Sequence, residues 1–220
     1  MTPQDFITTN AALISPPLVP ELKLYLATEV VPLWHATEEE LAKHGIPPPF
    51  WAFAWAGGQA LARYVLDNPD IVRGKRVLDI GSGSGMVGIA AARCGAAHVL
   101  AADIDAFSCA AIGLNAIANA VDIAVTQDDV IGTGCFPKGC PWDVILVGDL
   151  FYERPLAERL LAWLKELQTD ALLGDPGRSY FPKAGVEKLA TYNVQVTRDL
   201  EDREIRQTSV YRVMRPGGLA

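Results

Sequence analysis

The stretch VLDIGSGSGMVG, residues 77–88, places one aspartate and four glycines where a strand would pass into a helix. Glycines in such a loop let the backbone approach a ligand closely. From Asp79 the pattern is D-x-G-x-G-x-G, which is typical of loops that bind S-adenosylmethionine. From Gly83 it is G-x-G-x-x-G, the fingerprint of a dinucleotide site. The two registers predict different cofactors and therefore different reactions.

The position of the preceding strand favours the first register. That strand is predicted to end near Ile80, whereas the first glycine of a dinucleotide loop follows its strand almost at once. S-adenosylmethionine carries a sulfonium and an ammonium but no phosphate, so the carboxylate of Asp79 suits it and would repel a pyrophosphate. We therefore predict an S-adenosylmethionine site built from Asp79 and four loop residues, Gly81, Ser82, Gly83 and Gly85. The alternative is a tight strand–helix turn without a ligand.

Further residues around this loop have side chains that suit the rest of such a cofactor. Asp103, which precedes Ile104 at the end of the next strand, is predicted to accept hydrogen bonds from the ribose hydroxyls, although the same position serves NAD. Asp128 or Asp129 is predicted to accept from the adenine amino group, the alternative being an exposed turn. Trp55 is predicted to lie near the methionine end, where a ring face favours a cation; the alternative is a core residue.

The segment GDLFYE, residues 148–153, follows a further predicted strand and has a carboxylate at its start. Adenine and glutamine N-methyltransferases tend to have N-P-P-Y at this place, so an aspartate suggests a cationic acceptor such as a lysine side chain. We predict Asp149 and Tyr152 as the catalytic pair, and Phe151 and Glu153 as substrate contacts. The alternative is that Asp149 only caps the next helix. No general base is predicted, because a neighbouring sulfonium and burial both lower the pKa of a lysine.

The tetrapeptide Asp175-Pro-Gly-Arg178 ends the next predicted strand. In parallel sheets of this kind, ligands bind at the carboxyl ends of the strands, so Asp175 or Arg178 is predicted to position the substrate. The alternative is an ordinary turn with a surface arginine, since Pro-Gly is a turn pair.

The elements that must position these residues alternate along the chain between short apolar runs and helical patterns. Such alternation predicts a parallel sheet with right-handed crossovers. Strands are predicted at 76–80, 98–104, 123–129, 142–150 and 170–175, and helices at 85–95, 106–120 and 155–168.

The end of the chain departs from this alternation. A helix is predicted around 183–192, followed by strands at 194–200 and 208–214. Two strands with so short a connection must be antiparallel, because a parallel return needs a longer crossover. The pattern predicts the α/β, Rossmann-like fold of the class I S-adenosylmethionine-dependent methyltransferases, a seven-stranded parallel sheet ending in an antiparallel strand. A dinucleotide domain would continue with parallel strands.

Residues 1–48 are predicted to form an N-terminal arm that contributes to substrate recognition, ahead of a methyltransferase domain at 49–220. Within the arm, residues 22–26 have the alternation of a half-exposed strand. Residues 37–45 begin with a capping box and end at a glycine, which predicts a short helix. A further amphipathic helix is predicted at 58–68, at the start of the domain.

The composition narrows the possible partners. The chain has 220 residues and a net charge of −7 without a cluster of Lys and Arg, which argues against a nucleic-acid substrate. It shows neither a long apolar span nor a secretory pattern, so we expect a cytoplasmic protein with no membrane partner. The four cysteines form no C-x-x-C pair and only three histidines are present, so free thiols and no metal site are expected. We expect a monomer.

Several longer stretches resemble one family of enzymes. They include VPELKLYLATEVVPLWHATEEELAKHGIPPP in the arm, PPPFWAFAWAGGQALARYVLDNP, the glycine loop, AADIDAFSCAAIGLNA, GDLFYE and LLGDPGRSYFP. Together they are similar to the lysine methyltransferases that act on the electron transfer flavoprotein beta subunit. The D-x-x-Y at 149–152 is shared with many seven-strand protein lysine methyltransferases. The resemblance implies methyl transfer from S-adenosylmethionine to lysines of that protein, beside its dehydrogenase-docking loop.

Two other functions remain open on the sequence alone. The residues predicted to bind S-adenosylmethionine are common to many methyltransferases, so the protein could also methylate a ribosomal protein or a small amine. A catalytically silent module that binds S-adenosylmethionine and acts as an interaction partner is also compatible with these residues. An NAD-dependent oxidoreductase is the remaining outsider.

Overall fold

The structure is a computed structural model, and it describes residues 2–27, 49–133, 141–167, 169–195 and 205–214. Within these ranges nine strands and five α-helices are present. The strands are β1 Ala12–Ile14, β2 Leu24–Leu26, β3 Arg76–Ile80, β4 His98–Ala102, β5 Ala124–Thr126, β6 Val144–Gly148, β7 Asp170–Asp175, β8 Val186–Gln195 and β9 Ile205–Val213. The helices are α1 Pro3–Asn10, α2 Ala56–Asp67, α3 Met86–Arg93, α4 Ala106–Ala118 and α5 Arg154–Glu166.

The main sheet has seven strands in the order β5-β4-β3-β6-β7-β9-β8. The five strands from β3 to β7 in chain order are parallel to one another. β9 lies antiparallel between β7 and β8. This is the fold that the sequence predicts, and all five parallel strands overlap their predicted ranges.

One predicted helix is wrong. The segment around 183–192 lies largely in the extended strand β8, whose residues pair with β9. The exposure of its side chains does not alternate regularly, because the register shifts between Lys188 and Ala190. The partly buried positions 186, 189 and 190 then have the i, i+3, i+4 spacing of a helix. The predicted antiparallel connection of the last two strands is confirmed, with β8 beginning earlier than expected.

Alternating residues of the central strands pack on opposite faces of the sheet. Val77 and Leu146 contact the core beneath α2 and α3, whereas Leu78 and Ile145 contact the core beneath α5. Because successive side chains on a strand point to opposite faces, both faces of a central parallel strand must be apolar. The polar residues of these strands lie towards their ends: Arg76, His98 and Asp170 at the amino ends, and Asp79 and Asp175 near the carboxyl ends, where the loops carry the predicted site.

The described part of the arm packs on α4. β1 and β2 form a two-stranded antiparallel sheet. Two buried asparagines bind the arm: Asn119, the C-cap of α4, accepts from the backbone N–H of Lys23 (3.0 Å), and Asn115 within α4 accepts from that of Tyr25 (2.7 Å). Asn115 also donates to the carbonyl of Ser84 in the glycine loop (2.8 Å). The arm is thereby connected to that loop through one side chain.

Some predictions about the arm fall outside the described ranges. The predicted helix at 37–45 lies among residues 28–48, which are not described. The strand predicted at 22–26 is present as β2, and the helix predicted at 58–68 is present as α2, which begins two residues earlier. The division of the chain at residue 48 stays a prediction.

Candidate active site

The glycine loop between β3 and α3 adopts a backbone that its glycines make possible. Gly81, Gly83 and Gly85 all have positive φ, at 61°, 55° and 82°. A side chain is strained in this left-handed region. A Cβ on Gly81 would also come within 2.5 Å of the Leu150 side chain. The spaced glycines are therefore required by the path of the loop as well as by the approach of a ligand.

Asp79 lies beneath the loop and holds its shape. The carboxylate is almost fully buried, and its Oδ2 accepts from the Ser82 hydroxyl (2.5 Å) and from the backbone N–H of Gly88 (2.9 Å). Burial, only partly offset by these two hydrogen bonds, raises the pKa of Asp79 to about 7. The side chain of Asp79 therefore ties the first turn of α3 to the strand end.

Asp103 lies at the end of β4 and reaches across to the same loop. Its Oδ2 accepts from the backbone N–H of Gly83 (2.9 Å), and its Oδ1 accepts from that of Asp105 (3.0 Å). Burial raises the pKa of Asp103 above its usual value. The next residue, Ile104, is 71% exposed, so it forms part of the rim.

A cavity of about 490 Å³ lies over these strand ends. Its volume is within the range of pockets that bind small molecules and cofactors. The predicted site residues that line it are Trp55, Gly81, Gly83, Asp103, Ile104, Asp128, Asp129, Asp149, Tyr152 and Arg178. The apolar part of its wall is formed by Ile80, Val130, Ile131, Leu150 and Leu156. The fold thus brings most of the predicted residues to one cavity.

Asp128 and Asp129 both line this cavity, and both are exposed. Asp129 has described partners on both oxygens: Oδ1 accepts from the backbone N–H of Ile131 (3.2 Å), and Oδ2 pairs with Arg159 (2.7 Å). Asp128 accepts from the hydroxyl of Thr126 (2.8 Å). The geometry therefore leaves the Asp128 carboxylate less engaged than that of Asp129.

Asp149 lies at the opposite end of the cavity and is held by two distant parts of the chain. It is a non-glycine residue with φ of 59°, and its side chain is 8% exposed. Its Oδ2 accepts a short hydrogen bond from the backbone N–H of Gly57 in the first turn of α2. Its Oδ1 accepts from Nε (2.9 Å) and Nη2 (2.8 Å) of Arg178. The helix-cap alternative is not supported, because α5 begins after Glu153.

Three aromatic rings stand beside this carboxylate. Trp55 donates through Nε1 to the carbonyl of Phe50 (2.9 Å). The ring of Phe50 lies 6.1 Å from that of Trp55 and 5.9 Å from that of Tyr152, centroid to centroid. The guanidinium of Arg178 lies 5.8 Å from the Trp55 ring. The ring faces and the carboxylate together make a place that suits a cation.

Several comparisons bear on this site. A family model for lysine methyltransferases matches residues 41–172. An electron transfer flavoprotein beta subunit lysine methyltransferase of Xenopus laevis is 39% identical over 220 residues, covering 95% of this chain and 86% of that protein. The one of Homo sapiens is 37% identical over 203 residues, covering 88% and 75%. The chain belongs to this lysine methyltransferase family.

A solved structure supports the assignment of the fold of this lysine methyltransferase. The magnesium protoporphyrin IX methyltransferase of Synechocystis, with S-adenosylmethionine bound, superposes with a TM-score of 0.51 at 16% identity. The match covers 72% of this chain and 78% of that one. At this identity the likeness concerns the fold alone, which is the class I methyltransferase fold.

Some predicted site residues of the enzyme lie away from the cavity. Phe151 is fully buried and packs edge-on against Phe181, at 5.2 Å, so the structure does not support its prediction as a substrate contact. An aromatic residue next to a site is as easily a core residue, and the sequence does not distinguish the two. Glu153 is exposed ahead of α5 and does not line the cavity. Asp79, Ser82 and Gly85, which are also predicted to bind the cofactor, do not line the cavity either, and Asp79 is buried beneath the loop.

Asp175 is also absent from the cavity wall. It is 1% exposed, and its Oδ1 accepts from the backbone N–H groups of Gly177 (2.7 Å) and Arg178 (2.8 Å). Its Oδ2 has no hydrogen-bond partner among the described residues. Burial raises the pKa of Asp175 to about 7. Asp175 shapes the turn that carries Arg178, so of the two predicted substrate-positioning residues only Arg178 reaches the cavity.

Three residues of this site are not among those predicted from the sequence. Phe50 covers Trp55, Gly57 binds Asp149, and Arg159 pairs with Asp129. The aromatic run around Trp55 is a signal for Phe50. Gly57 and Arg159 have no comparable signal, because their partners are far away along the chain.

The described residues contain no helix long and apolar enough to cross a membrane. Within the same ranges no group of three His, Cys, Asp or Glu side chains is placed to hold a metal ion. Cys94 and Cys109 are free thiols, whereas Cys135 and Cys140 lie outside the described residues.

Proposed function

We propose that this enzyme transfers methyl groups from S-adenosylmethionine to lysine side chains of the electron transfer flavoprotein beta subunit. The observation that carries the proposal is the Asp149 carboxylate, which is held at the wall of the cavity opposite the loop of Asp103 and Gly83. The family supplies the lysine as the acceptor. The names of the similar proteins from Xenopus laevis and Homo sapiens supply the protein substrate.

The cavity fits the proposed cofactor. The apolar wall near Val130 and Leu156 suits an adenine ring, and Asp103 is positioned to accept from ribose hydroxyls. Asp79 supplies a buried carboxylate, and a carboxylate of raised pKa becomes more acidic beside a cation. S-adenosylmethionine supplies an activated methyl group on a sulfonium. The full set proposed to hold it is Trp55, Asp79, Gly81, Ser82, Gly83, Gly85, Asp103, Ile104 and one of Asp128 and Asp129.

The chain's own residues align the acceptor amine and favour its neutral form. A lysine with a pKa of about 10.4 must lose its proton, which costs about 4.6 kcal/mol at pH 7, at about 1.36 kcal/mol per pKa unit. Entry into a cavity walled by Trp55 and Tyr152 desolvates the ammonium and reduces this cost. Asp149 accepts a hydrogen bond from the amine and orients its lone pair. Positioning of this kind is the main contribution that an enzyme can make to such a transfer.

Protein recognition is proposed to involve the rim and the arm. Arg178 and the exposed residues Tyr152 and Glu153 surround the mouth near Asp149, and residues 1–48 add the arm. We further propose that the protein acts in the cytoplasm as a monomer. Size-exclusion chromatography with light scattering would test the oligomeric state, and a mass near the 23.7 kDa of the chain is the expected result.

An intact-mass assay tests the proposed function. Purified electron transfer flavoprotein beta subunit is incubated with S-adenosylmethionine and the wild-type enzyme, Asp149→Asn or Asp79→Asn. We expect increments of about 14 Da per methyl group with the wild type and their loss in both variants. Asp70→Asn is the matched control, because Asp70 is 87% exposed in an ion pair with Arg73.

The possible results separate the alternatives. No increment with the wild type, together with cofactor binding by calorimetry, would show that the substrate is another one. The same assay on a whole-cell extract would then identify a ribosomal protein or a small amine. Binding of cofactor without turnover on any extract component would favour the silent interaction module.

A further inference from the structure

The end of the cavity beside Asp149, called the acceptor end below, already contains a cation. Both Nε and Nη2 of Arg178 donate to Oδ1 of Asp149, and the guanidinium lies 5.8 Å from the Trp55 ring. The other oxygen of Asp149 accepts from Gly57. A substrate lysine therefore does not meet a bare carboxylate. It meets a carboxylate whose charge is balanced.

The backbone at Arg178 is held in place by Asp175. Oδ1 of Asp175 accepts from two consecutive N–H groups, at 2.7 and 2.8 Å, and so closes the turn from which the Arg178 side chain begins. Gly177 has φ of 91°, which a turn of this shape requires. The Arg178 side chain is 21% exposed and that of Asp149 is 8% exposed, so water screens their interaction only in part.

We propose that Arg178 is a positioning residue of the methyl transfer, which holds Asp149 for the substrate amine and with its positive charge favours the neutral form of that amine. The inference rests on the proposed function and adds a means of lysine deprotonation to it. In the transfer the neutral lysine nitrogen donates its lone pair to the methyl carbon. The carbon–sulfur bond breaks with its electron pair on sulfur, and the nitrogen, now cationic, later loses a proton to water.

Asp149 alone would oppose this deprotonation. A carboxylate beside an amine favours the ammonium form, whereas a guanidinium at the same distance favours the neutral form. With Arg178 in place the two charges largely cancel at the position of the amine. Asp149 then acts as a hydrogen-bond acceptor with little net attraction for the ammonium.

Other charged or titratable groups lie in or around the cavity. After β6 they are Tyr152 and Glu153, whose phenol and carboxylate interact with each other. After β7 the further group is Asp175, which interacts with both Asp149 and Arg178. Asp103 after β4 and Arg159 of α5 line the rest of the cavity, whereas Asp79 and Arg154 do not line it. All of them remain when Arg178 is replaced, so a comparison of Arg178 variants isolates the guanidinium.

The test is the pH dependence of kcat for methylation of the electron transfer flavoprotein beta subunit. We expect Arg178→Met to move the rising limb of the profile about one pH unit towards alkaline pH, with kcat at pH 7 about tenfold lower. At the alkaline end of the profile kcat approaches that of the wild type. KM for the protein substrate falls below pH 8, because a bare Asp149 binds the ammonium form better.

Two further variants keep the inference falsifiable. Arg178→Lys retains a positive charge and is expected to restore the wild-type limb, although with a lower kcat because the two donors are lost. Asp175→Asn removes a group that titrates near pH 7 while its Oδ1 still closes the turn, and the shift caused by Arg178→Met must persist in this background.

Two outcomes would overturn the inference without touching the proposed function. Equal loss of kcat by Arg178→Met at every pH, without a shift of the limb, would show a merely structural role. A fall in turnover accompanied by a rise in KM would show that Arg178 contacts the protein substrate instead. Absence of methylation by the wild-type enzyme at any pH would overturn the proposed function, and with it this inference.

Discussion

Two buried carboxylates, Asp79 beneath the glycine loop and Asp149 at the wall of the cavity, are held by different kinds of partner. At the end formed by β3 and β4, Asp79 accepts from Ser82 and Gly88, three and nine residues away. At the end formed by β6 and β7, Asp149 accepts from Gly57 and Arg178, which are 92 and 29 residues away. The first end is a property of one loop. The second exists only when the whole sheet and α2 are assembled.

The largest effect is expected from a substitution that disrupts the acceptor end beside Asp149 and leaves intact the cofactor end, formed by the loop after β3 and the end of β4. Asp149→Asn keeps the size of the side chain but removes the charge that pairs with Arg178. Loss of one preorganised electrostatic group costs on the order of 10²-fold in kcat. We expect such a fall in the rate of methylation, measured by intact mass, with the affinity for S-adenosylmethionine unchanged by calorimetry.

Asp79→Asn is the converse variant for this comparison. It disturbs the glycine loop and should reduce cofactor affinity. A loss of cofactor affinity in Asp149→Asn as large as that in Asp79→Asn would show that the two ends do not act independently.

The second prediction concerns the close packing that assembles the acceptor end. A Cβ on Gly174 would overlap the carbonyl oxygen of Gly57, whose N–H binds Asp149. Gly174→Ala must therefore displace the start of α2 from β7. Overpacking of this kind costs about 1–3 kcal/mol in the free energy of unfolding. Denaturant unfolding would measure it, and methylation should fall together with the stability.

Gly113→Ala is the matched control. Gly113 lies inside α4 with nothing within 4 Å of the added Cβ. Replacing a helical glycine with alanine stabilises by up to about 1 kcal/mol. Opposite signs for the two substitutions are expected, and a stable Gly174→Ala with normal activity would contradict the role given to this contact.

The third prediction concerns the cofactor end and its pH dependence. Because burial raises the pKa of Asp79 to about 7, the carboxyl is mostly protonated below that pH in the free enzyme. A cationic ligand favours the ionised form, so its binding releases a proton there. The Kd of S-adenosylmethionine should rise by up to tenfold per unit as the pH falls below about 7.

Asp79→Asn removes the titrating group and should flatten this dependence. The cofactor's own amino group titrates equally in both proteins, so the difference between their two slopes belongs to Asp79. Parallel slopes for the wild type and the variant, measured by calorimetry between pH 5.5 and 8, would contradict the prediction.

The contrast between partners that are close in the sequence and partners that are far apart explains how much of the site can be predicted from the sequence. The glycine loop, Asp79 and Asp103 can be placed from the sequence because a strand, a tight turn and a helix bring residues within one or two motifs together. Asp149 can be placed at a strand end. Its binding to Gly57 and Arg178 cannot, because those contacts depend on the order β3-β6-β7 and on how closely α2 approaches that sheet.

Local patterns also misled at two places. The sequence of β8 has a helical pattern because a register shift between Lys188 and Ala190 breaks the two-residue alternation of the strand. Phe151 is predicted to contact the substrate because it lies between Asp149 and Tyr152 in the sequence. Its ring instead packs beneath β6 with Phe181, since the chain turns at the positive φ of Asp149.

The smallest expected effect distinguishes the two aspartates after β5. Asp129 has both oxygens engaged, by Ile131 and by Arg159, whereas Asp128 has the hydroxyl of Thr126 as its described partner. We therefore expect Asp128 to accept from the adenine amino group. One exposed hydrogen bond is worth about 0.5–1.5 kcal/mol, so Asp128→Asn should weaken cofactor binding by about two- to tenfold.

Asp129→Asn is the matched comparison, because it breaks an ion pair whose two side chains are 44% and 51% exposed. Such exposed pairs contribute at most about 1 kcal/mol to stability. Its effect on cofactor affinity should be smaller than that of Asp128→Asn. A larger increase in Kd for Asp129→Asn than for Asp128→Asn would mean that the ion pair between Arg159 and Asp129 breaks when adenine binds. The cofactor end would then, like the acceptor end, depend on a contact between distant parts of the chain.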